Sequence, residues 1–488
     1  MHLRLRRRAV VACLVGGLAV SLVDAAPQTT LPPEVVAALG RAKVPLAALS
    51  AVVQEIGSTV PDLVWRADQS ANPASVMKLV TTYAALDLLG PAWTWSTPVW
   101  LHGSVRNPGP DGVLEGNLVI RGSGDPKLVL ERLWLLLRRV RQAGVREIHG
   151  DIVLDRSAFS EVGLSPADFD GEPLRPYNAQ SDALLLNFKS LLLTFTPDAG
   201  RGVASIVSDP PLAGLRVDTS VPLVAGACDN WRAGLRVDAS DPTRIRFQGS
   251  YPAACGETLW PQAYADPKSY NARLIEALWR ESGGALSGSV RDGSAPDTRP
   301  SFEFTSPPLA DVVRDINKFS NNLMAQQLFL TLGLQFKGVG SSDAARAVLG
   351  PWLLDKLGSR AADVAIVNGS GLSRESRASA DALALLLQRA WASPVMPEFI
   401  GSLPISGVDG SLRRSAGLAA PSVAGRAHLK TGSLRDVTAL AGYLLAPDGR
   451  RYVLVAIVNH PNAGAARPAL EALVERVLTP RGQALPRH

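Results

Sequence analysis

The sequence predicts an α/β domain assembled from both ends of the chain, with a large β-rich region inserted in its middle. Three observations lead there. Strand-like apolar runs occur near the N-terminus, at 46–55 and 62–67, and again near the C-terminus, at 427–432, 437–445 and 451–458. Apolar residues at three- and four-residue spacing mark helices beside them, at 33–41, 309–317, 322–332, 343–357, 380–392 and 468–478. From about 92 to 300 the pattern changes to short alternating runs broken by Gly, Pro and Asp, with one clear helix from Leu128 to Ala143. The division expected is therefore 26–91 with 300–488 for the discontinuous domain, and 92–299 for the insertion, read as two nested pieces.

Length and composition agree with this. The chain has 488 residues, 46% hydrophobic and 19% charged, enough for two or three domains. The formal charge of +6 is mildly basic. No basic run follows the N-terminus and no aromatic-basic pattern appears, so a nucleic-acid partner is not expected.

Residues 1–25 read as a secretory signal. Arg4, Arg6, Arg7 and Arg8 precede the apolar stretch from Ala9 to Val23, and Val23-Asp24-Ala25 offers small residues for cleavage. An uncleaved anchor is the alternative, although the run is short for a membrane span. The mature chain is expected in the periplasm. Cys13 falls within the signal, leaving Cys228 and Cys255. In an exported chain that pair favours one disulfide, with two buried thiols as the alternative. The six histidines are scattered, without metal-ligand spacing, so no metal or other cofactor is expected. No Gly-x-Ser-x-Gly elbow is present.

The stretch that carries chemistry is Asn72-Pro73-Ala74-Ser75-Val76-Met77-Lys78. Asn72 suits a helix cap and Pro73 a first helical position. Val76, Leu79, Val80, Tyr83, Leu86 and Leu89 continue at helical spacing to Gly90-Pro91. Ser75 and Lys78 then share one face of the first turn. Burial and the helix N-terminus both disfavour the ammonium, so Lys78 can take the serine proton. Lysine usage sharpens this reading: only nine of the 50 basic residues are lysines, and arginine cannot serve as a base.

Two more stretches follow in order. Ser320-Asn321-Asn322 lies between two helical runs, and Lys430-Thr431-Gly432-Ser433 lies in a strand-like run. With these three elements the chain resembles the class C low-molecular-mass penicillin-binding proteins, a family of D-alanyl-D-alanine carboxypeptidases and endopeptidases. Gly122-Ser123-Gly124-Asp125-Pro126, the stretch from Gly150 to Phe159, and the glycine-rich run from Gly369 to Arg374 extend the likeness, as does the wide gap between Ser75 and Ser320. The resemblance implies a serine β-lactamase/transpeptidase-like domain, an antiparallel sheet with helices, carrying non-catalytic inserted domains.

It also implies roles. Ser75 is the expected nucleophile and Lys78 its base. Ser320 passes a proton to the leaving amine, Asn322 holds Lys78 or substrate, and Lys430 supplies positive charge. Thr431 and Ser433 bind the terminal carboxylate, and Gly432 lets substrate lie close. The backbone N–H groups of Ser75 and Ser433 form the oxyanion hole. Asp155 is expected at the amino end of a diaminopimelate side chain, with a turn carboxylate ending a strand as the alternative, and Arg374 at substrate carboxylates, with a surface salt bridge as the alternative. Arg435 departs from the glutamine expected in some relatives, and Asn368 from the usual aspartate. The expected partners are peptidoglycan peptides and, covalently, β-lactams. A β-lactamase, or a penicillin-binding sensor or scaffold without turnover, would share Ser75. Peripheral membrane contact and oligomeric state stay open.

Overall fold

A computed structural model describes residues 28–160, 165–415 and 417–479. The proposed signal, residues 1–25, lies outside the described residues.

The two ends of the chain build one five-stranded antiparallel sheet. Its order is Ala427–Leu434, Val437–Leu445, Arg451–Asn459, Leu49–Glu55 and Leu63–Trp65. The seam between the termini is long: Leu49 through Glu55 all pair with Arg451–Asn459, with Ala51 opposite Ala456. Both faces are covered, which is why these antiparallel strands read as nearly continuous apolar runs. Val453, Val455 and Ile457 face the helices Lys78–Leu89, Asn322–Lys337 and Ala380–Trp391. Their alternates Leu454, Ala456 and Val458 face Pro33–Arg41 and Arg467–Leu478. The period-2 geometry of a strand thus divides one apolar run between two cores.

The helix after the Ser75 stretch is central. Lys78 through Leu86 are all buried, as befits a helix that is apolar all round. Its start differs from the reading above. Ala74–Met77 forms a 3-10 turn and the α-helix begins at Lys78. Pro73 precedes the turn rather than opening the α-helix, because Asn72 Oδ1 accepts from the Ala74 N–H and tightens the chain there.

The insertion is β-rich, and its outer sheet mixes parallel and antiparallel pairs. Val113–Arg121 pairs antiparallel with Ser96–Arg106 but parallel with Glu147–His149 and Ile152–Asp155. Two helices, Leu130–Gln142 and Tyr270–Glu281, pack on this outer sheet, and the second was not foreseen. Two inner sheets, built from strands between Ser190 and Ala263, are nested within it in sequence. One apolar core joins the pieces, Leu136 and Trp279 from the outer part with Phe195 and Tyr251 from the inner. Cys228 and Cys255 are bonded in the inner part, with an S–S length of 2.04 Å. The expected boundary at 299 falls short. Phe302–Thr305 pairs with Ser96–Arg106, and the outer sheet closes where Trp95 and Ser306 exchange backbone and hydroxyl hydrogen bonds.

A buried side chain pins the insertion to the catalytic helices. Gln327, on Asn322–Lys337, accepts from the Asp182 N–H at 2.9 Å and donates to the carbonyls of Asp182 and Gly124 at 2.8 and 3.2 Å. Asp182 is held in turn by Lys189, at 2.6 Å, and Arg156. Buried groups stripped of partners cost about 1–3 kcal/mol each. Gln327→Leu is therefore expected to lower the unfolding free energy by about 3 kcal/mol in a urea titration; a change below about 0.5 kcal/mol would show that the pin carries no stability.

Candidate active site

Four elements converge on Ser75. The 3-10 turn carries Ser75 itself, and the following helix carries Lys78. The junction of Leu309–Phe319 and Asn322–Lys337 carries Ser320 and Asn322. The edge strand Ala427–Leu434 carries Lys430 to Ser433, and the loop after Asn368 closes the back.

Lys78 is the centre. Its Nζ lies 2.9 Å from Ser75 Oγ, 2.6 Å from Asn322 Oδ1 and 2.7 Å from the Ser370 carbonyl. A neutral amine has two N–H bonds and one lone pair. Asn322 and Ser370 accept the two N–H bonds, which leaves the lone pair for the serine O–H. Burial, and then the charge of Lys430, hold this amine well below the ordinary lysine range. No carboxylate pairs with it among the described residues.

Lys430 Nζ lies 2.9 Å from Ser320 Oγ and 2.8 Å from the Thr431 carbonyl. It too is fully buried, and burial pulls its pKa down to about 7. Ser320 itself sits at φ 55°, ψ 36°, ending one helix before Asn321 caps the next. A left-handed conformation at a serine costs of order 1–2 kcal/mol. The reversal turns the Ser320 hydroxyl toward Lys430 while Asn322 faces Lys78.

The turn holding Ser75 is fixed by close backbone approaches. Ala74 has φ 48°. A Cβ on Gly371 would lie 2.0 Å from the Ala74 carbonyl oxygen, and one on Gly432 would lie 2.5 Å from that of Pro73. Gly432 is thus required by the chain's own nucleophile turn, a different reason from the substrate contact expected of it. Asn72 completes the clamp. Its N–H donates to Asn459 Oδ1 at 2.7 Å, and its Nδ2 to the Ser373 carbonyl at 2.9 Å.

Three partners were not legible beforehand. The Ser370 carbonyl is a backbone atom. Asn459 is 387 residues from Asn72. Ser411 is bonded to Thr431 through their hydroxyls, 3.0 Å apart. Asn368 explains its own departure. Its Oδ1 accepts from the N–H groups of Ser370 and Gly371, and its Nδ2 donates to the Leu372 carbonyl at 2.9 Å, a bond that an aspartate could not make.

Asp155 and Arg374, expected at the substrate, each contact groups of the insertion. Asp155 is a buried turn carboxylate. Its oxygens accept from the Ser157 and Ala295 N–H groups at 2.9 and 2.8 Å, with Arg121 at 3.8 Å, and none of these contacts reaches the Ser75 cluster. Arg374 is exposed and lies over the ring of Phe169 from the insertion, 5.2 Å from its centroid. Ser433 lies on the edge strand, opposite Thr438.

A serine beside a desolvated lysine, with a second serine and lysine next to them, is the side-chain set of a serine hydrolase that works through an acyl-enzyme. The chain belongs to the D-Ala-D-Ala carboxypeptidase 3 (S13) family, which residues 35–478 match, and is a serine-type peptidase. A D-alanyl-D-alanine carboxypeptidase from Actinomadura sp. (strain R39) is 30% identical over 420 residues, covering 82% of this chain and 75% of the relative. Penicillin binding protein 4 from Haemophilus influenzae shares the fold, with a TM-score of 0.70 at 22% identity, over 88% of this chain and 95% of that one. A predatory endopeptidase from Bdellovibrio bacteriovorus aligns with a TM-score of 0.51 at 14% identity, over 88% of this chain and 92% of the other.

Two outcomes follow from this geometry. Gly432→Ala displaces the Ser75 turn and is expected to slow acylation by benzylpenicillin about 100-fold, measured by stopped-flow; an unchanged rate would mean the turn gives way without cost. The acylation rate is expected to rise with pH as Lys78 loses its proton. Lys430→Met removes one of the two influences that lower Lys78, so the acid limb of the rate profile should move to higher pH. A limb that stays in place would show that the two amines do not interact.

Proposed function

We propose that this chain hydrolyses the D-Ala-D-Ala end of peptidoglycan stem peptides through an acyl-enzyme on Ser75. The observation that carries the reading is the Lys78 amine, buried, with both N–H bonds accepted and its remaining lone pair facing Ser75 Oγ.

Lys78 takes the serine proton as Oγ attacks the penultimate D-alanine carbonyl carbon. The developing oxyanion is bound by the backbone N–H groups of Ser75 and Ser433, worth about 2.7–4 kcal/mol per donor. Lys430 supplies the positive charge of the site, and Thr431 with Ser433 takes the terminal carboxylate. Ser320, bonded to Lys430, delivers its proton to the leaving nitrogen and is reprotonated by the proton that Lys78 took, which returns Lys78 to the neutral amine. The C–N bond breaks, the ester to Ser75 remains, and water later cleaves it with Lys78 again as base. A β-lactam presents a strained amide to the same serine, but its leaving nitrogen stays tethered. A covalent adduct then persists.

Residues 1–25 direct the chain to export, and the cell-wall side of the membrane is where its substrate lies. The arginine-flanked apolar stretch supports this placement.

Mass spectrometry tests the reading. Benzylpenicillin should add once to the wild type and not to Ser75→Ala, and a pentapeptide stem should lose one D-alanine only with the wild type. An adduct without peptide cleavage would favour a sensor or scaffold. Hydrolysed penicillin without an adduct would favour a β-lactamase.

A further inference from the structure

Two strands of the inner insertion, Thr258–Ala263 and Leu235–Asp238, each end a sheet, and they differ in how that edge is closed. The first is blunted three ways. Pro261 has no N–H, the Leu259 carbonyl accepts from Arg232 at 3.1 Å, and the Ala263 N–H donates to the Leu174 carbonyl at 2.8 Å. The second edge is open. Val237 stands opposite Phe247, whose N–H donates to Asp218 on the far side of the Arg244–Gly249 strand. The two residues are thus a pair that exchanges no ladder bond. The N–H and C=O of Val237 point away from the sheet and have no partner among the described residues.

That edge forms one side of an open groove of about 450 Å³, within the usual range for binding pockets. Pro173, Leu174 and Ala265 form the other side. A narrow apolar slot continues from it, lined by Val237 and Ala239 with Leu193 and Ile245. Arg236 and Asp238 share the opposite face of the strand, by its alternation. Asp238 is already engaged by the N–H and hydroxyl of Ser240, at 3.1 and 2.7 Å. Arg236 is exposed, and its side chain makes no hydrogen bond or salt bridge among the described residues. The groove therefore offers free main-chain groups, an apolar slot on one face and an uncommitted guanidinium on the other. These are the needs of an added strand, in which main-chain bonds give affinity and alternate side chains give specificity. The opposing wall leaves space for one strand, but not for the sheet that a second copy of the chain would bring with it.

We infer that this groove binds an extended segment of an L-polypeptide partner, added as a strand along Leu235–Asp238, with an acidic side chain on Arg236 and an apolar one in the slot beside Val237. The inner part of the insertion is then a docking module, separate from the Ser75 cluster.

The probe is a phage-displayed library of random dodecapeptides panned on the purified chain, followed by the strongest peptide made synthetically. That peptide is expected to carry an acidic residue flanked by apolar ones. Val237→Pro removes an N–H that no internal bond uses, so the urea unfolding midpoint should stay in place while peptide affinity falls about tenfold. Arg236→Glu should weaken binding by a similar factor, and exchanging the acidic residue of the peptide for lysine should restore it. On the wild type, N-methylation of a peptide amide that faces the strand should abolish binding, whereas methylation of the next amide should not. A library without any peptide sensitive to Val237→Pro would overturn the inference, as would a peptide indifferent to methylation at either amide. Unchanged binding to Arg236→Glu would reject the acidic contact. Tighter binding of a pentapeptide stem would replace the polypeptide with cell-wall peptide. A dimer seen by sedimentation that Val237→Pro abolishes would show the edge taken by a second copy, and would also overturn it.

Discussion

The site depends on keeping one lysine amine dry. Lys78 and Lys430 are both fully buried, and among the described residues no carboxylate accompanies either. Elsewhere the chain treats buried lysines differently: Lys189 is paired with Asp182 and Lys318 with Asp409, each at 2.6 Å. A carboxylate partner opposes the loss of a proton that burial favours, although burial still holds Lys189 below the ordinary lysine range; desolvation without such a partner goes unopposed. The contrast separates structural lysines from chemical ones within one molecule. It also carries a stability cost. The folded site binds protons less readily than the unfolded chain, so stability from Lys430 falls as pH drops from the ordinary lysine value of 10.5 toward about 7 and rises in the opposite direction.

Holding that amine in place demands unusual packing around it. The Ser75 turn is pressed between the glycine-rich loop, at Gly371, and the edge strand, at Gly432. Ala74 and Ser320 adopt positive φ angles on either side of the reacting groups. Strain of this kind persists only where the surroundings over-determine it. Here the surroundings include Asn72 and Asn459, bonded across the seam between the chain's two ends, and Gln327, which fastens the Asn322 helix to the insertion. The insertion therefore braces the catalytic helices through Gln327 and Trp95, whose indole N–H donates to Thr331 at 3.0 Å.

Much of this was legible in the sequence because it is written in side-chain types at short spacing. Ser75 with Lys78, Ser320 with Asn322, and Lys430 to Ser433 could be read directly, as could the strands at both ends that close one sheet. What escaped is of three kinds. Backbone acceptors such as the Ser370 carbonyl have no side-chain signature. Partners distant in sequence, such as Asn459 for Asn72, become visible only when the sheet registers are known. The purpose of a residue can also be hidden. Gly432 leaves room for the Pro73 carbonyl, which its own motif does not announce. The 3-10 turn at Ala74–Met77 was missed because Asn72 and Pro73 carry the signature of an α-helix start.

The claim that matters most is that burial, with the charge of Lys430, holds the Lys78 amine well below the ordinary lysine range. With nine lysines in the chain, side-chain ammonium and methylene signals can be assigned one by one in protein carrying isotope-labelled lysine, with Lys78→Met to identify the signal. The account predicts that Lys78 titrates well below the ordinary lysine value of 10.5, and that its midpoint rises in Lys430→Met. A Lys78 signal that titrates at the ordinary lysine value would contradict it.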